Sequence, residues 1–293
     1  MRTLSTLSQC LLLAAACLSA GPVAAQRTQA DLSARIMSKP LYLRGFWTDD
    51  KLQFDADGHP KKTYQTGSFA VSGFDAEKVS LAGNKLKIDG ERFGLEFTPE
   101  GEAQRYPIPE SSKRDAPKEQ VHIEIEGVKG GEFGRALDAI FANDLAELTP
   151  SLPPYWQRFA ASHFRPPPAV VIVQHDLVKM KPNVAVQPMG APRDSESRPM
   201  HVGAGVTPPK VVYSVNPDFT TAARHLKMGG MTEVYLWVGA DGTPSHLAIV
   251  RAVGLGLDEE AIAAVSKYKF APAMLNGKPV KVDINMDVTF QIF

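Results

Sequence analysis

The sequence predicts an α+β chain: a mainly β N-terminal domain, a Pro-rich linker, and a smaller C-terminal domain in which a sheet packs on helices. Three observations carry this expectation. Short runs of alternating apolar and polar residues fill 41–97 and 121–126, prolines crowd 166–209, and residues 280–292 alternate without a break. A period of two marks strands with one buried and one wetted face.

The chain has 293 residues, enough for two hydrophobic cores. Its 32 basic and 32 acidic residues cancel, which argues against a nucleic-acid partner, since such proteins carry a basic excess. At the N-terminus, Arg2 precedes an apolar run through Leu11, Leu12, Leu13, Ala14, Ala15, Ala16 and Leu18. Gly21-Pro22 breaks the run, and Val23-Ala24-Ala25 supplies small residues before Gln26. This is the layout of a secretory signal peptide over 1–25, cleaved after Ala25. The run is shorter than the roughly 20 apolar residues a membrane span needs, so a cleaved leader is expected over a retained anchor. Export to the periplasm follows. Cys10 and Cys17 both lie in this leader, leaving the mature chain without a thiol.

The N-terminal domain is expected over 26–165. A short polar helix or an arm over 26–37 leads into strands at 41–46, 68–74 and 78–81. Asp55-Ala56-Asp57-Gly58 reads as a turn. Residues 86–88 and 92–97 are expected to form a hairpin around Asp89-Gly90, a dipeptide that accepts the positive φ of a tight turn. A strand at 121–126 follows. Phe133, Leu137, Ile140, Phe141, Leu145 and Leu148 then share one helical stripe, ended by Pro150, and a second short helix over 155–164 carries Trp156 and Phe159. The linker over 166–209 is proline-punctuated and favours extended backbone.

The C-terminal domain is expected over 210–293. It opens with a helix at 220–227, closed by Gly229-Gly230. In the strand at 232–238, Val234, Leu236 and Val238 face one way. Ala240-Asp241-Gly242 turns the chain into an antiparallel return at 247–253. Asp258 is placed to cap the next helix, and Leu257, Ala261, Ala264, Val265 and Tyr268 form its buried stripe. After the Asn276-Gly277 turn, Val280, Val282, Ile284, Met286, Val288, Phe290 and Ile292 line one face of the last strand. Lys281, Asp283, Asn285, Asp287, Thr289 and Gln291 line the other.

The ordered series Gly229-Gly230, Val238-Gly239-Ala240-Asp241-Gly242, Ile249-Val250-Arg251, Gly256-Leu257-Asp258-Glu259-Glu260-Ala261, Lys269-Phe270-Ala271-Pro272-Ala273 and Asn276-Gly277-Lys278-Pro279-Val280 resembles the C-terminal domain of the TonB energy-transducer family. The likeness runs from about residue 208 to 293. It implies a three-stranded antiparallel sheet packed on two helices. It also implies TonB-dependent outer-membrane receptors as partners, with an inner-membrane proton-channel complex as a second partner, and a role in envelope transport without enzymatic activity. The family's contact is strand addition to the last strand, here Lys281, Val282, Asp283, Ile284, Asn285, Met286 and Asp287. An edge strand offers unpaired backbone groups to such a guest. The alternative is that Lys281, Asp283 and Asp287 merely protect the edge. Two features depart from the family: the apolar N-terminal run has no histidine, and Tyr213-Ser214-Val215-Asn216-Pro217 stands where the family has Tyr-Pro.

The seven histidines are scattered without metal-ligand spacing, and no cofactor motif or nucleophile elbow stands out. Arg92 reads as a surface charge beside a turn, and Trp47, Trp156 and Trp237 as packing residues. A second functional reading makes the chain an envelope ligand- or glycan-binding module worked by its N-terminal domain.

Overall fold

The computed structural model describes residues 29–127, 132–164 and 198–292. The expected signal peptide and most of the expected linker lie outside them. The N-terminal part runs α1 (Gln29–Met37), β1 (Leu41–Leu43), β2 (Lys51–Phe54), β3 (Gly73–Ala82), β4 (Lys85–Phe97), β5 (Ala103–Pro107) and β6 (Gln120–Glu126), then α2 (Gly134–Ile140), β7 (Phe141–Ala142), α3 (Leu145–Leu148) and α4 (Gln157–His163). Its sheet is ordered β2-β6-β4-β3-β1-β7, with β5 also on β4. Leu32 and Ile36 of α1 close over Phe74, Leu86, Ile88 and Ile123 to form its core.

Three local expectations are corrected. Asp89-Gly90 is no turn but the middle of β4, held between β3 and β6. Two ladders override the dipeptide's turn preference. The glycine serves another need: a Cβ there would lie 2.2 Å from the Asp75 carbonyl, where β3 shifts register between Ala76 and Lys78. The hairpin instead closes through Gly83 at φ 61, between the paired Ala82 and Lys85. The helical stripe over 133–148 is cut, because Phe141 and Ala142 pair with Leu43 and Tyr42 of β1. Asp144 then caps α3 by accepting from the Glu147 N–H. Finally, Phe69–Val71 is a 3₁₀ turn rather than strand, started by the Ser68 hydroxyl accepting from Ala70 N.

The C-terminal part runs β8 (Met200–His201), β9 (Val206–Thr207), β10 (Lys210–Tyr213), α5 (Thr221–Leu226), β11 (Gly230–Val238), β12 (Pro244–Arg251), α6 (Leu257–Val265), β13 (Lys269–Ala271), β14 (Ala273–Leu275), β15 (Lys278–Val280) and β16 (Val282–Phe290). The antiparallel trio β12-β11-β16 forms as the alternation requires, and β8 joins it as a fourth, parallel strand. Residues 200–207, expected in the linker, are thus part of this unit. Val234, Leu236 and Val238 pack on Leu257, Ala261 and Val265 of α6 and on Ala223 of α5.

The two parts are joined by backbone and by core. The Phe97 N–H donates to Val253 O and the Leu255 N–H to Leu95 O, at 2.9 and 2.8 Å. Gly254 sits between them at φ +97, where a Cβ would meet the Leu95 carbonyl at 2.1 Å. Gly254→Ala is therefore expected to destabilise the chain by about 2–3 kcal/mol, read from urea unfolding. Phe69, Phe97, Trp156, Phe159 and Phe164 form an aromatic core that also takes in Ile249 and Ala252. The sheet face expected to meet solvent is thus partly covered by α4, whose Arg158 lies over the Tyr235 ring at 4.4 Å.

Candidate functional site

Two places gather chemistry: the outer edge of β16, and the junction between the two parts. Along its inner side, β16 pairs with β11 from Val282 to Phe290. On its outer side, among the described residues, only Val282 and Asp283 face a strand, through Met200 and His201 of β8. The Met200 N–H donates to Lys281 O at 2.9 Å, so the Lys281 carbonyl points outward. Backbone direction alternates along a strand, so Asp283, Asn285, Asp287 and Thr289 also aim their N–H and C=O groups outward. Ile284, Met286 and Val288 aim theirs at β11.

The structure thus divides the seven expected pairing residues. Lys281, Val282 and Asp283 lie at the stretch β8 occupies; Ile284, Asn285, Met286 and Asp287 line the edge beyond it. The polar side chains of this strand are engaged sideways. The Asn285 amide donates to Glu233 at 2.9 Å, and Arg251 donates to Asp287 at 3.3 Å. Asp283 is only 12% exposed and lies 2.6 Å from His201 Nδ1, while Tyr235 donates to its other oxygen at 3.3 Å. Among the described residues, such lateral pairing leaves the backbone edge beyond Asp283 as the open hydrogen-bonding surface.

The junction holds charged groups, two of which, Asp258 and Arg92, lie elsewhere than expected. Asp258 is not a helix cap. It is fully buried and accepts from Thr232 Oγ1, Val253 N and Gly254 N at 2.7, 2.9 and 2.7 Å, so it ties the β12–α6 loop to β11. Burial raises its pKa to about 6. Glu259 accepts from Trp156 Nε1 at 2.9 Å, across the junction. Its side chain keeps some exposure, but its Oε2 is covered, and burial together with the nearby Asp258 raises it to about 7. Arg92, expected on the surface, is 3% exposed. It donates to the carbonyls of Trp47, Val71 and Asp49, and its Nε lies 3.4 Å from Glu119. It shares the parity of the buried Leu86 and Ile88 in β4, a signal the alternation already contained.

Both carboxylates sit above the usual unfolded values near 4. Between about pH 4 and 7 these two carboxyls therefore hold protons in the folded state that they have released in the unfolded one, so their contribution to stability rises as pH falls through that range. Glu259→Gln is expected to remove roughly 2 kcal/mol of this pH dependence in urea titrations at a series of pH values. Beside Glu259 and Arg92, a cleft of about 730 Å³ opens between the parts, reached also by Thr220, His225 and Glu119.

Residues 215–292 match the family described as the Gram-negative bacterial TonB protein C-terminal domain. The chain thus carries a TonB-family C-terminal domain, and the match takes in α5, β11, β12, α6 and β16. A curated relative, Protein TonB of Vibrio cholerae, is 26% identical over 110 residues, which cover 34% of this chain. The chain spans 45% of that relative's length. The solution structure of the Pseudomonas aeruginosa TonB C-terminal domain aligns at 21% identity and a TM-score of 0.26, covering 31% of this chain and 89% of that one. Among the described residues, no helix is long and apolar enough to cross a membrane.

Proposed function

We propose that this chain is an exported, periplasmic protein of envelope transport. Its TonB-type domain captures a segment of a TonB-dependent outer-membrane receptor by strand addition to β16. The observation that carries this reading is the outward-facing backbone of Asn285, Asp287 and Thr289, against which no described strand lies. A guest strand bonding there gains affinity from main-chain pairing with little demand on its own side chains. Capture of this kind needs no cofactor and no covalent step, so no enzymatic role is proposed.

Peptides copying the periplasm-facing N-terminal segments of such receptors test this in fluorescence anisotropy. Saturable binding by at least one peptide is expected. Failure of every peptide from the host's receptors would remove the proposal. The cleft favours a second reading, in which a small envelope ligand or glycan binds between the two parts. It lies at a domain junction, is of ligand size, and has apolar walls carrying a few hydroxyl and charged groups. A ligand that protects residues 220–225 from amide exchange, with no receptor peptide binding, would favour it.

A further inference from the structure

We infer that β8 is a resident strand that competes with the incoming receptor segment for the β16 edge; this rests on the strand-addition reading above. β8 runs parallel to β16 with Met200 opposite Val282 and His201 opposite Asp283, and its first N–H is spent on the Lys281 carbonyl. A guest that pairs with the whole stretch from Lys281 to Asp287 must take those positions from it.

The attachment has the construction of a displaceable cap. On one side of a short loop, β9 is anchored. Val206 is 7% exposed and pairs with Leu275, while the Thr207 hydroxyl accepts from Met274 N at 3.1 Å. On the other side, β8 holds the edge through two residue pairs and buries little, for Met200 is 40% exposed and the His201 side chain 88%. Between them Gly203, Ala204 and Gly205 all take positive φ, at 121, 49 and 91. No atom lies within 4 Å of where a Gly203 Cβ would stand. Gly203 and Val206 exchange N–H···O bonds across this turn, so the anchor keeps β8 near its place at high local concentration, and the hinge that lets it leave without disturbing β9 lies ahead of the turn, at the exposed Val202.

This cap shields Val282 and Asp283 while no receptor is bound, and it lowers the apparent affinity by the fraction of time it is closed. It also sets a requirement on the partner. A segment short enough to pair only beyond Asp283 binds without displacing β8, and a longer one pays for the exchange.

Two variants in the full chain test this, with amide exchange and receptor-peptide affinity as readouts. Met200→Pro removes the donor to Lys281 at an exposed position. Amide exchange at Asp283 is expected to speed up, and peptides spanning the stretch are expected to bind roughly tenfold tighter. The double variant His201→Cys with Asp283→Cys, with Cys10 and Cys17 changed to serine, joins β8 to β16 when oxidised. Oxidation is expected to weaken the same peptides by roughly tenfold or more, and reduction to restore them. Unchanged exchange at Asp283 in Met200→Pro would show that β8 does not guard the edge and overturn the inference. So would equal affinity of the wild type, Met200→Pro and the oxidised double variant. Binding by none of the forms would instead remove the receptor reading itself.

Discussion

Asn285→Pro is expected to weaken receptor-peptide binding at least tenfold while leaving the chain folded. The Asn285 N–H points away from β11, so the substitution removes a donor that pairs with no described strand and that a guest strand needs. One hydrogen bond to the guest is worth about 1 kcal/mol, and the pyrrolidine ring adds a clash with the incoming backbone. The control lies one residue away. A proline at Ile284 strikes the ladder to Leu236 inside the sheet, and it is expected to lower stability by about 3 kcal/mol or more. Thermal unfolding of both variants beside anisotropy titrations separates the two effects. Equal binding by Asn285→Pro and wild type would count against pairing at this edge.

Trp156→Ala is expected to be the most destabilising single change at the junction. The ring is fully buried, meets Phe69 edge-on at a 4.7 Å centroid distance, and packs within 5.6 Å of Phe159. Losing a buried tryptophan costs about 3–5 kcal/mol through lost transfer energy and the remaining cavity. Here it also strips Glu259 of the indole N–H that meets its covered carboxyl. The expected result in urea unfolding is a loss of that size, larger at pH 8 than at pH 5, because the abandoned Glu259 is charged at the higher pH. Trp156→Phe keeps most of the ring and loses only the donor, so about 1–2 kcal/mol is expected. A loss under about 1 kcal/mol for the alanine variant would contradict a core shared by both parts.

The C-terminal domain was the most legible part of the chain because its elements are set by local signals. Asn276 and Gly277, at φ 51 and 76, make the tight turn their types favour, and Val282, Val288 and Phe290 are buried as their alternation demands. The N-terminal part was less legible where long-range pairing overrides local preference. Nothing near Asp89-Gly90 announces that strands close on both its sides, and nothing within 133–148 announces that Phe141 is needed at the edge of β1. The candidate site was legible as a strand, and through the family resemblance as an edge, but not in the direction of its backbone groups. Alternation names the residues of β16, but which backbone groups face outward depends on β11. The strand that covers Val282 and Asp283 comes from 200–201, a stretch too short and too close to prolines to read as β. The sequence offers Asp258 as a helix cap, and only the packing of α6 on β11 and the start of α4 shows Asp258 buried on Thr232 and Glu259 bonded to Trp156.

Residue-resolved amide exchange over β16, with and without a saturating receptor peptide, tests the central claim most directly. Strand addition predicts new protection at Asn285 and Asp287, whose N–H groups face outward, and little change at Ile284, Met286 and Val288, which already face β11. No new protection along β16, or protection confined to the cleft around Thr220 and His225, would contradict it.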